Sequence, residues 1–195
     1  ASPSARPPPP DPAGPEAQQF VLDYIKETVM HEVGHALGLR HNFRASRVYS
    51  EAQLADPEFT RTYGTTGSVM EYNAINLGLP GERSGVPFTL TLGPYDYWAI
   101  EYAYKPIPKD QEAAELQRIA ARNSEPLLAF GTDEDNSFGL DPETVQLDLG
   151  DDPIAFAAKR LAIARDLFRR QEARTLPPER DYAVLRRSLV FALSD

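Results

Sequence analysis

The sequence predicts a mainly α-helical chain, and three observations carry that reading. The stretch from Glu16 to Gly38 is free of proline and helical in character throughout. "GPYDYWAIEYAY" and the segment after Asp152-Pro153 repeat apolar side chains at three- and four-residue spacing. Only two short stretches, "PLLAFGTDED" and "TVQLDLG", have strand character, and a two-stranded ribbon is the expectation for them.

The elements follow in order. Seven of the first fifteen residues are proline, which makes 1–15 an extended linker rather than part of a core. With neither a basic nor an apolar region, this start is no signal peptide, and the expectation is a fragment cut from a longer chain within a linker. A long helix then runs to Gly38, a natural stop because glycine accepts the left-handed conformation that ends many helices. Ser50 and Gln53 stand at capping-box spacing and start a short helix. "YGTTGSVMEYNAINLGLPGERSG" is rich in turn formers and reads as irregular. Pro94 opens a helix on which Tyr97, Ile100, Glu101 and Tyr104 recur at helical spacing. The aromatic side chains Tyr95, Tyr97, Trp98, Tyr102 and Tyr104 are expected to pack into a core. Asp110 to Ala121 reads as a helix with an Asp cap. Further helices are expected from Asp152-Pro153 to about Arg174 and over "PPERDYAVLRRSLVFAL". The organisation expected is a linker (1–15), a unit carrying the histidines and a supporting helix (16–105), and a helical extension (106–195).

Composition narrows the function classes. The formal charge of −9 argues against nucleic acid or an anionic membrane surface as partner. No apolar run approaches the roughly eighteen residues of a membrane span. Cysteine is absent, so neither a disulfide nor a thiolate metal site exists.

All three histidines fall within "MHEVGHALGLRH". Residues four apart share a helix face, so His31 and His35 reach one cation. Gly38 lets the chain turn so that His41 returns to the same ion. Glu32 lies beside the metal rather than under it, which suits a general base acting on water. Three neutral nitrogens leave a fourth position open, the arrangement of a catalytic zinc rather than a structural one. Every fixed position of H-E-x-x-H-x-x-G-x-x-H is filled, a chance event at about one in 10⁵ for this length.

With "GSVMEY" after it, this motif resembles the metzincin clan of zinc endopeptidases. Together with "HEVGHALGLRHNF" and "GPYDYWAIEYAY" it is most similar to a family of large, mostly bacterial zinc-dependent metalloproteases of metzincin type. The resemblance covers roughly Thr28 to Tyr104 with specific motifs. It implies hydrolysis of peptide or protein substrates with Zn2+ held by His31, His35 and His41 and Glu32 as base. It also implies a Met-containing turn beneath the site, with Met70 at the Met position, and makes Tyr72 a candidate to stabilise the oxyanion. Arg40 and Asn42 flank the third ligand without an assigned role. A secreted or periplasmic location is what the family suggests.

The clan is α+β and places a sheet subdomain ahead of the zinc helix; here only a helical lead-in precedes His31. The upper half is therefore expected to be missing, and the chain alone is expected to be a weak peptidase or none. Leu22, Ile25, Val29, Val33 and Ala36 cluster opposite His31 and His35, an apolar stripe that such a sheet would cover. Self-association through that stripe is the expectation. A rival reading keeps the zinc but makes the chain a non-catalytic binding or assembly module with a structural site. The acidic run Asp133, Asp135, Ser137, Asp141 has calcium-loop-like spacing, but Phe138 and Thr144 replace the glycine and glutamate such a loop needs. A solvated acidic turn is expected there.

Overall fold

A computed structural model describes residues 14–190 apart from 138, 140, 173–181, 184, 185 and 188. The proline-rich start and most of the last expected helix lie outside these residues. Seven α-helices and no strand occur among the described residues: α1 (Pro15–Ala36), α2 (Glu51–Leu54), α3 (Pro57–Tyr63), α4 (Pro94–Tyr104), α5 (Glu112–Ala120), α6 (Asp133–Ser137) and α7 (Pro153–Glu172).

Local chemistry accounts for most of these ends. Leu37 caps α1, and Gly38 follows at φ 87. Gly38 N–H donates to the His35 carbonyl (2.9 Å) and Leu39 N–H to the Gly34 carbonyl (3.0 Å), the paired bonds of a Schellman stop. The Ser50–Gln53 capping box forms in both directions at the start of α2. Asp56 caps α3, with Pro57 in its first turn. Asp152 Oδ1 accepts from the N–H groups of Ile154 and Ala155 and so starts α7. The cap of α5 differs from expectation, because Gln111 occupies that position rather than Asp110.

The expected ribbon is not there. The segments 126–135 and 144–150 instead flank one backbone unit: Phe43 N–H donates to the Gly131 carbonyl (2.7 Å), and Val145 N–H donates to the Phe43 carbonyl (3.2 Å). Each strand-like stretch found its partner in the chain following the histidines, not in the other stretch. The aromatic cluster on α4 also needs correction. Tyr95 is buried and Trp98 donates to the Ile119 carbonyl (2.7 Å), but Tyr97, Tyr102 and Tyr104 are exposed. Tyr104 uses its hydroxyl to bond the Leu37 carbonyl at the end of α1 (2.8 Å).

The core gathers Tyr49, Leu54, Ala74 and Leu149, with Val48, Phe59 and Phe156 packed against them. Phe43, against the His41 ring, and Met70, against Gly34, are fully buried. Helix α1 is held along a narrow line. Glu27 accepts from Thr89 N–H (2.6 Å) and Asn73 Nδ2 (2.7 Å), Phe20 and Tyr24 meet Phe88, and only His31 and Gly34 are buried. The stripe of Leu22, Ile25, Val29, Val33 and Ala36 is exposed along its whole length among the described residues. Among the described residues, no helix is long and apolar enough to cross a membrane.

Candidate metal centre

The Schellman stop determines how three histidines meet. Two of them ride the last turns of α1, and the reversal at Gly38 brings the third back. Their ligand atoms all lie within 4.8 Å of one another. His35 Nε2 and His41 Nε2 are 3.2 Å apart. Two zinc-bound nitrogens in a tetrahedral site sit about 3.3 Å apart, so this separation needs little adjustment.

Each ring is aimed through its other nitrogen. His31 Nδ1 faces the Val69 carbonyl (2.7 Å), His35 Nδ1 the Leu39 carbonyl (3.0 Å), and His41 Nδ1 the Asp133 carboxylate (3.0 and 3.1 Å). Acceptors at all three Nδ1 atoms place the protons there and leave lone pairs on the three Nε2 atoms. Those lone pairs converge. His31 Nε2 is buried without any hydrogen-bond partner, a cost that a cation removes. Burial, the larger effect, lowers the His31 pKa despite the Val69 bond, and the neighbouring imidazoles lower it further. The neutral form that a metal requires is thus the favoured one. On these grounds the three side chains fit a metal ion.

The remaining expected site residues fall around this point. Glu32 follows His31 on the exposed side of α1. The Tyr72 ring lies 5.2 Å from that of His31 and 4.5 Å from that of His41, centroid to centroid. Met70 is fully buried, and a Cβ placed on Gly34 would come within 2.2 Å of its sulfur. Glycine between His31 and His35 therefore lets the thioether sit directly against α1.

The sequence reading missed the roles of two carboxylates beside these residues. Asp96 is buried on α4 and holds the turn before Met70: it accepts from Ser68 Oγ (2.6 Å), Val69 N–H (3.0 Å) and Gly93 N–H (2.7 Å). Burial raises its pKa, and these three bonds work against the rise. Asp133 is the other. Burial raises its carboxyl, but the bonds from His41 and Thr132 outweigh this and leave it below its ordinary value. The expected solvated acidic turn is in fact the helix α6, with its carboxylates engaged: Glu134 by Arg40 (2.6 Å), Asp135 by Thr132 N–H (2.9 Å), and Asp141 nearby by Arg44 (3.3 Å). Asn42 assists from behind. Its amide bonds the Ala129 carbonyl and its oxygen accepts from Gly131 N–H, fixing the approach to Asp133.

A Met-zincin family model matches residues 13–195, nearly the whole chain. The chain is a Met-zincin. It matches no curated protein and no solved structure. Membership of the Met-zincins implies a zinc metalloprotease-type fold, and the convergent histidines suit that metal. Among the described residues, no fourth imidazole or carboxylate joins the three.

Proposed function

We propose that this Met-zincin is the catalytic zinc-binding part of an endopeptidase. The observation that carries the reading is the convergence of three Nε2 lone pairs from His31, His35 and His41, each ring aimed by an acceptor on its Nδ1. When bound there, zinc supplies Lewis-acid polarisation of the scissile carbonyl and makes water a better nucleophile at neutral pH. Glu32, beside the ligands on α1, takes the proton of the attacking water and passes it to the leaving amine. Tyr72, whose ring lies against those of His31 and His41, donates a hydrogen bond to the oxyanion. Met70 and the bonds from Asp96 make the floor of the site, the Met-turn of the clan.

Glu32→Gln tests this, measured in the protein as its gene encodes it. The variant is expected to keep its zinc and lose at least about two orders of magnitude in cleavage of an unfolded protein substrate, the usual weight of a positioned base. Near-normal cleavage would assign the base to another group. Full zinc binding with no cleavage by the unsubstituted protein would favour a structural zinc in an assembly module.

A further inference from the structure

Behind Met70 the chain continues into a second polar centre. Ser46, Glu71 and Asp148 are all buried, at 0%, 4% and 5% exposure. Backbone bonds bring their segments together: Gly150 N–H donates to the Ser46 carbonyl (2.9 Å) and Leu147 N–H to the Tyr72 carbonyl (2.9 Å). Glu71 is well supplied, accepting from Ser46 N–H and Tyr72 N–H at 3.0 Å each. Asp148 is not. Neither of its carboxylate oxygens has a partner at full hydrogen-bond geometry, and the Ser46 hydroxyl beside it, likewise without one, only partly opposes the rise that burial causes. Arg47, whose charge acts to lower the Asp148 carboxyl, spends its hydrogen bond on the Asp151 carbonyl.

A buried carboxylate without donors is strongly disfavoured. Burial accordingly pushes Glu71 well up, the charge of Asp148 adds to the push, and Asp148 itself is raised by burial. A single shared proton removes one of the two negative charges and leaves the other buried beside the Ser46 oxygen. A divalent cation answers both charges and that oxygen together.

We infer that Ser46, Glu71 and Asp148 form a buried site for calcium, distinct from the three histidines. Every donor is oxygen, the ligand type of hard cations, with no imidazole or thiolate to favour zinc. Magnesium keeps several of its waters, which suits a closed site poorly, whereas calcium accepts carboxylates, hydroxyls and carbonyls in flexible number. Since Glu71 follows Met70 directly, the ion ties the turn under the histidines to the 145–150 segment. This inference is independent of the peptidase reading.

The test is titration of zinc-saturated, calcium-free protein with calcium chloride, followed by calorimetry and thermal unfolding. One equivalent is expected to bind, raising Tm by about 5 °C or more at hundredfold excess over Kd. Asp148→Asn is expected to lose that response while melting at or above calcium-free wild type, because the unpaired buried charge is gone. Asp135→Asn, on the surface acidic run, is expected to keep it. If Asp148→Asn does not fold, Ser46→Ala serves instead and must bind calcium at least about tenfold more weakly. No shift in wild type at millimolar calcium overturns the site. So does an equal shift in Asp148→Asn, a response lost in Asp135→Asn, or a response to magnesium alone. Stabilisation by acid and not by calcium would identify a shared proton in its place.

Discussion

His41 differs from its two companions in what aims it. Val69 and Leu39 present carbonyls that no side-chain replacement removes, whereas His41 relies on the carboxylate of Asp133. Asp133→Asn is therefore expected to weaken zinc binding by about 10–100-fold, the usual effect of removing a ligand's hydrogen-bond partner. Competition against a chelator of known affinity measures it. Unchanged affinity would show that Asp133 does not orient the ring. The histidines and Glu32 were legible in the sequence because their geometry is local, within one helix and the turn that ends it. Asp133 lies 92 residues from His41 and Asp96 27 from Val69. No spacing rule reaches that far, so folding alone revealed them.

At the scale of elements, close backbone approach matters more than propensity. A Cβ on Gly93 would lie 2.1 Å from the Gly67 carbonyl oxygen and 2.7 Å from Ser68 N, and main chain cannot step aside. Gly34 differs, since its added Cβ meets the flexible Met70 side chain and alanine gains roughly 1 kcal/mol of helix propensity. Gly93→Ala is expected to cost at least about 3 kcal/mol, the top of the usual overpacking range, and Gly34→Ala distinctly less. Denaturant unfolding of both variants decides; the reverse order would mean that the turn before Met70 is not held by α4. The caps of α1, α2, α4 and α7 were readable because glycine, serine, proline and aspartate act on their immediate neighbours. Helix α3 was missed although Asp56-Pro57 is a start signal. The ribbon was misread because strand-like composition says nothing about which backbone supplies the partner, and here Phe43 does.

Over the whole molecule, negative charge is distributed in two ways. Several surface carboxylates pair with arginine and lysine, while the half-buried Glu27 and the buried Glu71, Asp96 and Asp148 are raised in pKa by loss of solvent. A raised carboxyl binds its proton more tightly in the folded state. Its contribution to stability is therefore full below the ordinary value and lost as pH rises through the folded one. Glu27, which anchors α1 to Thr89, offers the simplest test, because glutamine can keep that bond and Asn73 has a free oxygen to meet the new amide. The stability of Glu27→Gln relative to wild type is expected to improve as pH rises from the ordinary value of 4.5 towards neutrality. Urea unfolding at about pH 4 and about pH 7 measures this. A difference that stays flat or shrinks would mean that Glu27 is not destabilised by its burial.

The convergence of His31, His35 and His41 on zinc is tested most directly by X-ray absorption at the zinc edge, with metal analysis of the same sample. One equivalent of zinc is expected, bound by three imidazole nitrogens at about 2.0–2.1 Å and one oxygen from solvent. His35→Ala is expected to lose that signal. Well under one equivalent, a fourth ligand from the protein, or His35→Ala binding as tightly as wild type would contradict the account.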